Sequence, residues 1–221
     1  MLDALRAEVC ELDRALPRLG LAAWTTGNLS ARDAATGFIA IKPSGLRYEL
    51  MTPDDIVVLD PDGLVVAGSR TPSVDADPHL VVYRHRPDVG GVVHTHSPYA
   101  SAFAAVGRPI PVVLTSIADQ FGGPVPVGAY VPPVGGEAIG DEIIRSIGRS
   151  PAILMKNHGV FTLGPTASKA LQAAVMVEEN ARTVSIALGL GVPDEIPAED
   201  VERQRSFYLE GYGQPHEAPG T

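Results

Sequence analysis

Leu2, Leu5, Val9, Leu12, Leu16 and Leu19 recur at helical spacing, and Gly20 offers the left-handed stop that ends such a helix. A polar, glycine-containing stretch follows, Thr25-Thr26-Gly27-Asn28-Leu29-Ser30, with a turn expected from Asp33 to Gly37. Phe38-Ile39-Ala40-Ile41 then reads as a strand running into Lys42-Pro43-Ser44-Gly45. Thr52-Pro53-Asp54-Asp55 has the cap and first-position proline of a short helix. Two apolar runs, Ile56 to Leu59 and Leu64 to Ala67, are joined by Asp60-Pro61-Asp62-Gly63 and predict a β-hairpin.

Pro72-Ser73-Val74-Asp75 leads into a helix over 78–86. Gly91-Val92-Val93-His94-Thr95-His96 has the apolar run of a buried strand, and Pro98 both stops it and opens an Ala-rich helix over 98–106. A short strand is expected over 112–114, followed by a loop over 115–123 that contains Ala118-Asp119. A helix over 137–147 and a strand over 152–155 come next, followed by the run Val160 to Leu163. Thr166 caps the longest helix, which runs to about Leu188, and a further helical piece lies beyond Pro197. Hairpins alternate with helical crossovers, so the residues imply a mixed sheet with helices on both faces. No repeat or linker divides the chain.

Composition narrows the class. A chain of 221 residues with 45% hydrophobic content suits one globular domain with a sizeable core. A net charge of -9, from 17 basic and 26 acidic residues, argues against nucleic acid and anionic membranes as general partners. No apolar run reaches transmembrane length, and Asp3, Arg6, Glu8 and Glu11 leave no signal-peptide core. The single cysteine, Cys10, excludes an intrachain disulfide and suits a reducing cytoplasm. Its place on the apolar side of the first helix makes it a packing residue.

The chemistry is concentrated in histidines. If the backbone stays extended, His94 and His96 point the same way at a strand's end, close enough to share a cation. Taken alone, the pair fits equally well one core histidine and one surface histidine. His158 also follows a buried strand, beside a permissive Gly159. Three histidines with one open position form the donor set of a catalytic zinc, to which Asp75 adds a carboxylate ligand or a base. Imidazoles also accept Mn2+, Co2+ or Ni2+. His79, His85 and His216 lack such placement. A second set, Gly27-Asn28, Ser44-Gly45 and Ser73, offers hydroxyls and backbone N–H groups to an anion, with Lys42 supplying charge.

Gly27-Asn28-Leu29-Ser30, Lys42-Pro43-Ser44-Gly45, Pro72-Ser73-Val74-Asp75, His94-Thr95-His96 and Asn157-His158-Gly159 stand in the order and spacing of the class II aldolase/adducin family. The chain resembles that family over essentially its whole length. Within it, the chain is most similar to the L-ribulose-5-phosphate 4-epimerase branch. Asp75 replaces the glutamate of fuculose-phosphate-type aldolases, Ala118-Asp119 precedes Phe121-Gly122, and the terminus carries Tyr212-Gly213-Gln214.

The resemblance implies a single domain with a three-layer αβα sandwich around a mixed, largely antiparallel sheet. It further implies a homotetramer in which the tail from about residue 197 completes a neighbour's active site. Zinc on His94, His96 and His158, with Asp75, would polarise a ketose carbonyl. Gly27, Asn28, Lys42, Ser44, Gly45, Ser73 and the Val74 backbone would hold the phosphate, and Asp119 and Tyr212 would carry protons. The implied reaction interconverts L-ribulose 5-phosphate and D-xylulose 5-phosphate by retro-aldol cleavage and re-addition through the aldehyde's other face. Val74 stands where the family places a second serine, removing a hydroxyl but keeping the N–H. Three alternatives stay open: an aldolase that releases its aldehyde, an adducin-like interaction module, and a zinc hydrolase without the helical HExxH signature.

Overall fold

A computed structural model describes residues 2–211 of the chain. Among them eight strands form one sheet: β1 (Asn28–Arg32), β2 (Ile39–Ile41), β3 (Val57–Leu59), β4 (Val65–Ala67), β5 (Gly91–Thr95), β6 (Val127–Gly128), β7 (Ala152–Met155) and β8 (Gly159–Gly164). Their spatial order is β4-β3-β2-β1-β5-β8-β7-β6, and only β6 with β7 is parallel. The helices are α1 (Leu2–Arg18), α2 (Ala76–His85), α3 (Pro98–Val106), α4 (Thr115–Phe121), α5 (Ala138–Ser146), α6 (Ala167–Leu190) and α7 (Ala198–Gly211).

Period-two alternation divides each strand between two cores. Leu29 and Ala31 of β1, Ala40 of β2, Val58 of β3 and Val93 of β5 pack with Leu5, Val9 and Leu16 of α1 and with Ala167, Ala170 and Ala174 of α6. Their neighbours Ile39, Ile41, Val57, Leu59 and Val92 pack on the opposite face with Leu80 and Tyr83 of α2 and Ile139 and Ile143 of α5. A third cluster joins α3, α4, α6 and α7 to Leu154 of β7 and Val160 of β8. The result is the expected αβα sandwich around a largely antiparallel sheet.

Three local expectations are corrected. Strand β1 was not anticipated because its inward positions are polar: Asn28 and Ser30 are both buried, and the Ser30 hydroxyl is hydrogen-bonded to His79 Nδ1 at 2.7 Å and Tyr83 Oη at 2.8 Å. Residues 112–114 are not a strand. Pro109 and Pro111 flank Ile110, which makes only a bridge to Val125, and the Val112 carbonyl accepts from Ile196 N–H at 2.8 Å. The expected loop over 115–123 contains α4, which buries Ile117, Ala118 and Phe121 and ends on left-handed Gly122 (φ +66°). Sequence reading also missed the two-residue β6, while α6 continues two residues beyond the expected end. The cap on α6 is as expected: Thr166 Oγ1 accepts from Lys169 N–H at 3.2 Å.

The start of α6 lies flat against the start of β5. A Cβ added at Gly91 would stand 2.3 Å from Ala167 Cα and 2.5 Å from its nitrogen, both backbone atoms. We expect Gly91→Ala to destabilise the fold by about 1–3 kcal/mol through overpacking. Urea unfolding measures this, and an unchanged midpoint would show that the helix can retreat freely.

Candidate active site

Antiparallel pairing gathers the candidate residues at one end of the sheet. Strand β1 begins, and β2 and β5 end, on the same edge: Asn28 lies opposite His94, and Lys42 follows Ile41 at the end of β2. Thr95 pairs with Val160, which brings His158, just before β8, beside the end of β5. Backbone Asn157 is left-handed (φ +57°) in the turn between β7 and β8. Gly159 is required by close approach. A Cβ there would stand 2.4 Å from the Thr95 carbonyl oxygen and 2.9 Å from the His96 ring.

Ligand nitrogens of His94, His96 and His158 lie within 4.8 Å of one another. The His94 Nδ1 is 2.9 Å from the Val160 carbonyl oxygen. A carbonyl only accepts, so Nδ1 carries the proton and Nε2 keeps its lone pair. That Nε2 is 2.9 Å from His96 Nε2, and His158 Nδ1 is buried without a hydrogen-bond partner. Two nitrogens on one tetrahedral zinc stand about 3.3 Å apart, so the separations suit one ion. Burial pushes His94 down to about 3, with Asp75 opposing, and also lowers His96 and His158. Neutral imidazole is the form that ligates metal. The donor set therefore fits a divalent cation.

Asp75 lies outside the set of mutually close donors. Its Oδ2 instead accepts from Asn28 Nδ2 at 2.7 Å, and the same amide donates to Ser73 Oγ at 3.1 Å. Burial acts to raise the Asp75 carboxyl, but the neighbouring imidazoles and the Asn28 amide outweigh it and hold it below the ordinary value.

Beside the histidines, Gly27, Asn28, Lys42, Ser44, Gly45, Ser73, Val74 and Asp75 line one cleft of about 440 Å³. The anion donors are fewer than the sequence suggests. Ser44 N–H donates to Thr71 O and Ser73 N–H to Lys42 O. The Ser44 hydroxyl and the Gly45 and Val74 N–H groups have no partner among the described residues. Val74 is 75% exposed, so its apolar side chain sits in the cleft mouth. Lys42 is the only ammonium in the lining.

Asp119 lies on α4, half-buried, and is not in this lining. Burial raises its carboxyl and Arg205 opposes the rise. Tyr212 and His216 lie outside the described residues. Sequence reading missed Pro133, which also lines the cleft; a proline in a loop carries no signal of its own. It also missed the support beneath, where Tyr48 Oη donates to the carbonyls of Thr26 and Gly27 at 2.8 and 2.9 Å.

Residues 7–185 match the family model of the class II aldolase and adducin N-terminal domain. The chain belongs to this family. L-ribulose-5-phosphate 4-epimerase UlaF of Salmonella paratyphi A is 40% identical over 216 residues, covering 93% of this chain and 94% of that protein. Among solved structures, an L-fuculose 1-phosphate aldolase superposes with a TM-score of 0.83 at 29% identity, covering 93% and 96% of the two chains. The L-fuculose 1-phosphate aldolase of Glaciozyma antarctica PI12, at 22% identity and a TM-score of 0.75 over 94% and 88% of the chains, shares the fold.

In this class II aldolase/adducin domain a buried layer supports the histidines from below. Phe161 stacks on His94 with centroids 4.2 Å apart and meets His79 edge-on at 5.9 Å. His79 is fully buried, and burial pushes it down to about 4, with Asp75 opposing. Its unperturbed value is 6.5. Between these values the unfolded chain takes up a proton that the folded chain refuses, so stability rises with pH and is lost as pH falls. One such group contributes at most about 1.4 kcal/mol per pH unit. We expect His79→Gln to flatten the pH dependence of unfolding free energy in metal-free protein by about one proton between pH 4 and pH 6.5. Identical slopes would show that His79 does not titrate on unfolding.

Proposed function

We propose that this protein is a metal-dependent sugar-phosphate epimerase that interconverts L-ribulose 5-phosphate and D-xylulose 5-phosphate. The observation that carries this reading is three convergent imidazoles sharing one cleft with a lysine and unpaired anion donors. The 40% identity to an L-ribulose-5-phosphate 4-epimerase supports this choice of substrate.

The substrate's phosphate is held by the Ser44 hydroxyl and the N–H groups of Gly45 and Val74, with Lys42 supplying charge. Its ketose end faces His94, His96 and His158, which would hold zinc, with Asp75 as an additional ligand or orienting carboxylate. A bound divalent ion supplies Lewis acidity toward the ketose oxygens. Cleavage breaks the C3–C4 bond as the C4 hydroxyl gives up its proton: the C4 oxygen becomes an aldehyde carbonyl, and the bond's electron pair passes to C3 and the C2 carbonyl as an enediolate. The aldehyde fragment rotates within the cleft, and the bond re-forms on its other face.

Each face needs its own proton carrier. We assign these roles to Asp119 and Tyr212, the tyrosine being supplied by a neighbouring copy in a homotetramer. A raised carboxyl at Asp119 suits a group that both takes and returns a proton. Reducing conditions in the cytoplasm suit the lone, buried Cys10. The second reading is an aldolase, favoured by the structural match to an L-fuculose 1-phosphate aldolase. The same cleavage then ends with release of the aldehyde.

Incubating zinc-loaded protein with L-ribulose 5-phosphate separates the readings. We expect D-xylulose 5-phosphate without net cleavage; accumulating aldehyde would favour the aldolase. No reaction with zinc bound would overturn the substrate assignment. Asp119→Asn is expected to retain metal while slowing epimerisation by about 10²–10⁴-fold, and an unchanged rate would remove Asp119 from the chemistry.

A further inference from the structure

No residue of α1 lines the cleft, yet α1 places a carboxylate in the core behind it. Asp13 is completely buried. Its Oδ1 accepts the Leu29 N–H at 2.8 Å, one residue after Asn28. Its Oδ2 is buried with no hydrogen-bond partner. A lone buried carboxylate is costly and calls for a nearby positive charge.

Lys42 is the buried ammonium on the same side of the sheet: the two make no ion pair within 4 Å, but both anchor on the 25–29 segment, Asp13 on the Leu29 N–H and Lys42 on the Thr25 carbonyl. Lys42 is only 2% exposed, and its Nζ donates to the Thr25 carbonyl at 3.3 Å and stands 4.7 Å from the Tyr48 ring centroid. Burial works against the ammonium; Asp13 is the strongest influence restoring it, ahead of Asp75. Reciprocally, burial pushes the Asp13 carboxyl up and Lys42 holds it down. The ionisable groups around Lys42 are thus Asp13 from α1, Asp75 ahead of α2, and Tyr48 beneath.

We propose that Asp13 is a positioning residue for substrate binding: its buried carboxylate is the counter-charge that seats the Lys42 ammonium at the cleft floor, ready for an anionic group. This rests on the reading of the cleft as a phosphate site. Asp13 touches no substrate and acts only through Lys42.

Calorimetric titration of the metal-loaded protein with inorganic phosphate tests it. Asp13→Asn keeps an oxygen for the Leu29 N–H and removes the charge. We expect phosphate affinity to fall about tenfold, and the loss to deepen as pH rises, because Lys42 without its counter-charge gives up its proton earlier. Lys42→Met is expected to lose as much, with no further loss when Asp13→Asn is added. That non-additivity is what a merely structural role would not produce.

Equal affinities for wild type and Asp13→Asn would overturn the inference, as would additive losses in the double variant. If Asp13→Asn alone does not fold, the melting temperature of Lys42→Met carries the test. It is expected to rise when Asp13→Asn is added, because the stranded carboxylate is removed; a further fall would overturn the inference. Wild-type protein that binds metal but no phosphate would overturn the reading of the cleft, and this inference with it.

Discussion

Imidazole nitrogens that converge without a proton or cation between them present lone pairs to one another, and that arrangement is unfavourable. In this protein His94 Nδ1 is committed to the Val160 carbonyl, so its other nitrogen faces His96 as an acceptor. Burial keeps all three imidazoles below their ordinary pKa. A proton on His96 Nε2 can satisfy that lone pair, and a divalent cation could take the proton's place. Much of the surrounding structure enforces that geometry: Gly159 permits the close approach, Phe161 braces His94, and the β5–β8 register brings His158 alongside.

The antiparallel sheet explains why so few residues suffice. Neighbouring strands start and stop on one edge, so short motifs far apart in the chain meet there without long loops. Helices on both faces bury the sheet and leave that edge open. Polar residues extend inward beneath it: Ser30, His79 and Tyr83 on one face, Asp13 and Lys42 on the other. Buried polar groups of this kind rarely add stability over an apolar core, and their usual justification is the geometry they impose on a site.

The same polar layer marks the limit of what the sequence could tell. Apolar runs such as Ile39–Ile41 and Gly91–Thr95 were legible because their burial is written in side-chain type. Strand β1 was not, since Asn28 and Ser30 occupy buried positions and mimic a loop. Helix α4 has only seven residues, too few to display a period, and β6 has two. At the site, the histidines and the Asn28, Lys42, Ser44 and Ser73 segments were legible from motif order. The commitment of the Ser44 and Ser73 N–H groups to Thr71 and Lys42 was not, because it depends on which strands pair. Nor was the placement of Asp119 away from its own chain's cleft, which is a property of how α4 packs.

Anomalous X-ray diffraction from crystals grown with zinc tests whether one divalent ion sits among the three imidazoles. We expect one dominant peak about 2.1 Å from a ring nitrogen of each of His94, His96 and His158. A cleft with no peak, or a peak held by other residues, would contradict it.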